Sequence, residues 1–252
     1  MQANCLNCSS PNVQNYCPNC GQKASTHRYS IKHFVEHDFV HGVWHVDKGI
    51  FFTLKELFTR PGHSVREYLQ GKRANYFSFI TLILLIIAIS SLIAPYVHIK
   101  QTDLSPAQNG IEEKAMMSSF EALIAKYPKL YILITIPIIS FFSFIWFRKA
   151  KLNFSEHLVA NSYKAAVELI FTLSFSVITI FYTNIDVLRI LFNFIVMPLT
   201  LAYTIWYYYQ LFSTYGYSKK ALLGRSIAAI ISYSMFIIIF GAVATVIQKM
   251  TQ

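Results

Sequence analysis

Five long apolar stretches follow one another along the chain, at about 77–97, 130–147, 158–182, 187–209 and 226–247. A helix needs roughly 20 apolar residues to cross the hydrocarbon core of a bilayer. Each stretch therefore predicts a transmembrane helix, and the short polar turn 183–186 predicts that the third and fourth form an antiparallel hairpin. The pattern predicts an all-α integral membrane protein whose transmembrane bundle occupies residues 77–252.

Residues 27–76 have a different pattern, which predicts a cytosolic or interfacial amphipathic region. Apolar residues recur at steps of three or four from Ile31 to Leu57, as one face of a helix requires. Pro61 and Gly62 interrupt this pattern, and a second short juxtamembrane helix is expected to end near Gly71.

Composition and charge agree with a membrane protein. The 252 residues are 54% hydrophobic and only 13% charged, whereas soluble domains carry about 25% charged residues. The net charge of +10 comes from lysines and arginines spread over short segments between the apolar stretches, so no nucleic-acid partner is expected. By the positive-inside rule, these segments predict a cytosolic N-terminus and, with five spans, an external C-terminus.

All four cysteines lie in residues 1–26, as the pairs Cys5-x2-Cys8 and Cys17-x2-Cys20. Two such pairs offer four thiolates to one tetrahedral ion, which predicts a small zinc ribbon as a separate N-terminal domain. Iron in the same geometry is the alternative metal. A pair of disulfides or four loose thiols is the non-metal alternative, and a reducing cytosol disfavours the disulfides.

Three groups of residues resemble a known family. They are Cys17-Pro18-Asn19-Cys20-Gly21-Gln22, then Pro61-Gly62 with Arg66-Glu67-Tyr68-Leu69 and Gly71-Lys72-Arg73, and finally Phe154-Ser155-Glu156-His157-Leu158. Together they resemble the bacterial membrane proteins catalogued as domain of unknown function 3667. The resemblance implies a multi-span protein of the bacterial inner membrane and implies no activity.

A histidine series precedes the bundle: His33, His37, His41 and His45 are spaced four residues apart. Neighbours at this spacing on a helix are able to share a metal ion. However, twelve residues turn about a third of the way around a straight helix, so the four cannot meet at one ion. A polar interfacial face is the favoured interpretation, and a second metal site is the alternative.

A polar stripe follows the third predicted span, and its first members are His157, Asn161, Lys164 and Glu168. Threonines and serines continue it to Thr183 at the same helical spacing. A thinner stripe on the fourth span contains Asn193, Thr200, Thr204 and Tyr207, and it is expected to face the first. The stripe predicts either an interhelical seam or a polar path for a solute.

Three basic residues near the first span, Arg66, Lys72 and Arg73, are candidates for contact with anionic lipid, because cations at a bilayer surface attract acidic headgroups.

Three functions are compatible with these features. The favoured one is a non-enzymatic scaffold or accessory protein whose cytosolic zinc ribbon docks a protein partner. The first alternative is a small-solute transporter or channel built on the polar stripe. The second is a membrane metalloenzyme that uses the histidine series; however, the sequence contains no phosphate-binding loop, nucleophile elbow or HExxH motif that would favour an enzyme.

Overall fold

The computed structural model describes residues 4–11, 15–26, 28–30, 49–99, 104 and 128–250. Its regular elements are helical. They are α1 (Ile50–Thr59), α2 (Pro61–Leu69), α3 (Phe79–Ile93), α4 (Pro128–Trp146), α5 (Phe154–Phe181), α6 (Ile185–Leu191), α7 (Met197–Phe212) and α8 (Lys219–Met250). A short 3-10 helix, Ala94–Tyr96, extends α3, and a π-helical turn, Phe192–Val196, joins α6 to α7.

Within the described residues, four segments are long and apolar enough to cross a membrane: Phe79–Tyr96, Phe154–Phe181, Ile185–Phe212 and Lys219–Val243. They correspond to the first, third, fourth and fifth predicted spans, so the prediction of an all-helical membrane protein is confirmed. The second predicted span corresponds to α4, in which the described apolar segment Ile134–Trp146 is shorter. The count of five spans therefore stays a prediction.

Helix α5 occupies the centre of the bundle and packs against α3, α4 and α7, while α8 packs against α4 and α7. A capping box starts α5: the side chain of Asn153 accepts from the N–H of Glu156, and Glu156 accepts from the N–H of Asn153. This reciprocal pair satisfies two N–H groups that a helix start leaves without partners.

Helices α1 and α2 form a hairpin that packs against α5 and α7. Pro61 stands at the start of α2, where its missing N–H costs no helical hydrogen bond. Gly62 permits the close approach to α7, because a Cβ there would collide with the backbone of Tyr207 and Leu211. Helix α1 covers the end of the first predicted amphipathic segment, whose residues 31–48 lie outside the described residues, and α2 is buried against the bundle.

The ends of four helices meet on one side of the bundle. Arg225, near the start of α8, donates to the carbonyl of Trp146 at the end of α4. Lys149, in the segment between α4 and α5, donates to the carbonyl of Gly216, between α7 and α8. This basic end of the bundle is also the end on which the cysteine-containing segment lies.

The connection from α6 to α7 contains one irregularity. In the π-helical turn Phe192–Val196, hydrogen bonds skip one residue more than in an α-helix. The amide of Asn193 donates to the carbonyls of Leu104 and Arg189. The sequence predicted that Asn193 faces the polar stripe of α5. Its amide instead bonds these two carbonyls.

Candidate functional site

The four cysteine thiols converge. Residues 4–11 and 15–26 form the cysteine module, in which all four sulfur atoms lie within 4.8 Å of one another. The Sγ–Sγ separation is 3.6 Å for Cys5 and Cys20, and 3.5 Å for Cys8 and Cys17. Four sulfurs bonded to one tetrahedral ion at about 2.3 Å stand about 3.8 Å apart. The module thus has the dimensions of a four-thiolate metal site, and its cysteines are free thiols.

The two cysteine pairs adopt the same turn. In each, the first cysteine's carbonyl accepts from the N–H four residues later, at 2.9 Å for Ser9 and for Gly21. These two residues also share a left-handed backbone, with φ of 60° at Ser9 and 73° at Gly21. Glycine adopts this conformation freely, whereas serine is strained in it. The first turn is therefore the more strained of two similar turns.

Hydrogen bonding within the second turn favours the thiolate form of Cys17. The backbone N–H of Cys20 points at the Cys17 sulfur and lowers the pKa of that thiol to about 6. Burial, by contrast, raises the pKa of the Cys20 thiol to about 11. The thiolate is the form that binds metals, so within this turn the hydrogen bonding favours that form at Cys17.

Both turns of the module contact the segment that links α2 to α3. The buried side chain of Gln22 donates to the carbonyl of Gly71 at 2.8 Å and accepts from the N–H groups of Arg73 and Ala74. Leu6, in the first turn, lies over Gly71, where any Cβ would come within 2.8 Å of it. The module is therefore docked on residues 71–74 by one residue from each turn.

A second attachment joins the residues after the module to the start of α5. Arg28 makes a bidentate ion pair with Glu156, with both nitrogen–oxygen distances at 2.6 Å. The amide of Asn153 donates to the carbonyl of Tyr29 at 2.8 Å. The carboxylate that closes the capping box of α5 thus also holds the N-terminal segment.

The three candidate lipid-contacting residues all have protein partners. Arg66 donates to the carbonyls of Gln210 and Leu211 at the end of α7, where a cation also complements the helix dipole. Lys72 lies 3.8 Å from a carboxylate oxygen of Glu67. The guanidinium of Arg73 lies 4.0 Å above the ring of Tyr29.

The first two members of the α5 stripe form a buried hydrogen-bonded cluster with neighbouring helices. The ring of His157 bonds the hydroxyl of Ser143, on α4, through Nδ1 at 2.9 Å. The amide nitrogen of Asn161 donates to the same hydroxyl, and its oxygen accepts from the hydroxyl of Tyr208 on α7 at 2.6 Å. These contacts link α4, α5 and α7.

The next two members pair with each other. The ammonium of Lys164 donates to Glu168 at 2.7 Å, and the hydroxyl of Thr204 donates to the same carboxylate oxygen at 2.8 Å. Tyr207 donates to the carbonyl of Ala160 at 2.7 Å. Thr204 and Tyr207 therefore face the α5 stripe across the hairpin, as predicted.

The histidine series at 33, 37, 41 and 45 lies outside the described residues, so its metal-binding alternative stays a prediction.

Residues 47–90 match a family model described as protein of unknown function (DUF3667). The predicted family is confirmed there. The DUF3667 segment contains α1, α2, the docking platform 71–74 and the first turns of α3. No curated protein and no solved structure matches the chain.

Several interactions at this site were not predicted from the sequence. Gln22 and Glu156 stood inside the motifs that resemble the family, without an assigned role. Arg28 and Tyr208 carried no sequence signal, because their partners are 128 and 47 residues away. The motifs themselves were the available signal: the cysteine motif contacts the DUF3667 segment, and the motif at 154–158 is joined to Arg28.

Proposed function

We propose that this chain is a non-enzymatic scaffold or accessory protein of the bacterial inner membrane, whose cysteine module binds one zinc ion and docks a protein partner at the cytosolic face. The single observation that carries the proposal is the two-point docking of the module, through Gln22 and Leu6, on residues 71–74. A module held in this way presents a fixed surface beside the membrane helices.

Zinc suits the donor set. Four thiolates complete a tetrahedral shell and leave no coordination position for a substrate, which is typical of structural zinc sites. The metal would join the two turns, so that Leu6 and Gln22 contact residues 71–74 together. Its role is to hold the shape of the module.

The proposed partner-binding surface consists of exposed residues in and beside the second cysteine turn. Tyr16 is 62% exposed, and Pro18, Asn19 and Lys23 are exposed as well. An exposed tyrosine with polar and cationic neighbours is typical of a protein interface, where an aromatic anchor has a polar rim.

The first experiment measures metal per chain in the detergent-purified protein and in a variant with all four cysteines changed to serine. We expect one zinc in the native chain and none in the variant. Metal that persists in the variant would contradict the assignment and support the histidine series, and with it the metalloenzyme alternative.

The second experiment tests docking with a photo-reactive phenylalanine at position 16 in native membranes. We expect an adduct with one protein, lost in the four-serine variant and retained when the probe-bearing chain carries Lys55→Ala outside the module. Capture that is unaffected by loss of the cysteines would overturn the docking role.

The described contacts favour a packing seam over a solute path in the α5 stripe. His157, Asn161, Lys164 and Glu168 each bond a protein group on their own or a neighbouring helix. Polar side chains that bond across helices stabilise a membrane bundle. Unfolding and solute flux, both measured on Glu168→Gln, separate the two interpretations.

A further inference from the structure

Helix α1 has apolar residues on two faces. Its inner face, with Ile50, Leu54 and Leu57, packs against the hydrophobic core, and this is the face that the sequence periodicity predicted. The outer face carries Phe51 and Phe58, which that periodicity did not include. A helix that is hydrophobic all round requires an apolar environment on both sides.

Among the described residues, nothing buries the outer face. The side chains of Phe51, Phe52 and Phe58 are 82%, 37% and 41% exposed, and Lys55, between them, is exposed too. Phe51, Lys55 and Phe58 follow one another at spacings of four and three residues, which places them on one side of the helix. Phe52 lies at the edge of this side, where its ring contacts that of Tyr76 at 5.2 Å. Exposed phenylalanines grouped in this way mark an interaction surface.

This face continues into the outer surface of the bundle. The ring of Phe58 meets that of Phe171, on α5, edge-on at 6.0 Å. Phe171 contacts Tyr203, on α7, at 5.7 Å, and Tyr203 contacts Trp206 at 6.1 Å. Trp206 is 38% exposed. In membrane proteins, aromatic residues are enriched at the boundary between headgroups and hydrocarbon, because their rings suit that layer. A continuous aromatic surface of this kind is typical of that boundary.

Two hydrogen bonds fix the rotation of α1. The hydroxyl oxygen of Thr53 accepts from the N–H of Phe77 at 2.7 Å, and the hydroxyl of Tyr203 donates to the carbonyl of Leu57 at 3.1 Å. Together with the buried inner face, they prevent the phenylalanines from turning toward the core. The outer face therefore stays on the surface of the described part of the chain.

We propose that the outer face of α1 is inserted into the interfacial layer of the bilayer, with Phe51 and Phe58 among the upper acyl chains and Lys55 at the phosphate of an anionic headgroup. Amphipathic helices lie in the interface in this manner, with phenylalanine on the buried face. This inference is independent of the proposed docking function.

Photo-cross-linking to lipid tests the proposal. The full chain, with a benzoyl-phenylalanine at position 51, is placed in nanodiscs that contain phosphatidylglycerol, and lipid adducts are quantified by mass spectrometry. The matched control carries the probe at position 16, another exposed aromatic position but in the cysteine module. We expect a lipid adduct yield at position 51 that is at least fivefold that at position 16. Equal yields, or adducts at position 51 that join it to another part of the chain, would overturn the proposal.

A charge variant tests the headgroup contact. With the probe at position 51, Lys55→Glu should lower the lipid adduct yield at least twofold in phosphatidylglycerol nanodiscs and leave it unchanged in phosphatidylcholine nanodiscs. The control Lys23→Glu, in the module, should change neither yield. An unchanged yield for Lys55→Glu in both lipids would refute the role of Lys55.

Discussion

The two halves of helix α5 use polar residues in opposite ways. From Glu156 to Glu168, the side chains of Glu156, His157 and Glu168 bond other elements, namely the N-terminal segment, α4 and α7, although Ser162 donates to the carbonyl of Leu158 on α5 itself. Beyond Glu168, the hydroxyls of Thr172, Ser174 and Ser176 each donate to the carbonyl four residues earlier on α5 itself. A stripe that looks continuous in sequence therefore changes role at Glu168.

The difference shows what polar residues contribute inside a membrane bundle. A hydroxyl that donates to a carbonyl of its own helix has its hydrogen bond without a second helix, so that side of the helix is able to face lipid. An amide, imidazole or carboxylate needs a partner elsewhere, so it specifies which helices must meet. At the basic end of the bundle, polar side chains determine in this way which helices contact one another. The half of α5 beyond Glu168 relies on apolar packing.

The largest loss of stability is expected at the close contact of α2 with α7, beside the half of α5 that ends at Glu168. Gly62→Ala should destabilise the protein by about 3 kcal/mol, because the new Cβ meets the backbone of Tyr207 and Leu211 and an overpacked contact must shift. Thermal unfolding in detergent measures the change. Gly224→Ala is the matched control: its Cβ would meet nothing within 4 Å, so the stability should stay equal or rise. Equal effects for the two variants would contradict this account of the α2–α7 contact.

The second prediction concerns the boundary residue. Glu168→Gln should cost about 2 kcal/mol, since it leaves the buried Lys164 ammonium without its counter-charge; Glu168 is partly exposed, which reduces the loss. Ser174→Ala, in the far half, should be nearly neutral because it removes one bond within its own helix. Unfolding measured for both variants tests the comparison. A Glu168→Gln protein of native stability that has lost a solute flux would support the transport alternative.

The third prediction addresses the attachment of the cysteine module. Gln22→Ala removes the acceptor of the Arg73 and Ala74 N–H groups, at a cost of about 1.5 kcal/mol. Amide hydrogen exchange should accelerate at these two positions and stay unchanged at the middle of α5. Lys23→Ala, an exposed neighbour, serves as the control. Unaltered exchange in Gln22→Ala would show that another contact holds the module.

The smallest effect separates the two cysteine turns. Ser9→Gly should relieve about 1 kcal/mol of left-handed strain and tighten zinc binding about fivefold. Gly21→Ala should weaken binding by a similar factor, because it introduces the same strain in the second turn. Competition with a chelator measures both affinities. A lower affinity for Ser9→Gly would contradict the interpretation of the strained turn.

Much of the helical framework could be predicted because it depends on local sequence. The length of an apolar run determines whether it spans a bilayer, and the spacing of two cysteine pairs determines how four thiols converge. The contacts of Gln22 with residues 71–74 and of Arg28 with Glu156 depend on how distant segments pack, which a single sequence does not encode locally. For the same reason, the bonds of Arg66 to the carbonyls at the end of α7 were not predicted, and its contact with lipid stays a prediction.

The π-helical turn Phe192–Val196 has a consequence for insertions and deletions. Such a turn is equivalent to an α-helix that has gained one residue, and each residue of an α-helix advances by about 100°. Asn193 is therefore rotated away from the face of Thr200 and Thr204, although seven residues separate it from Thr200. We expect deletion of one residue within this turn to restore a regular α-helix and to leave α7 in place. The membrane helix would then change its length by one residue without disturbing the contacts of α7 with α2 and α5.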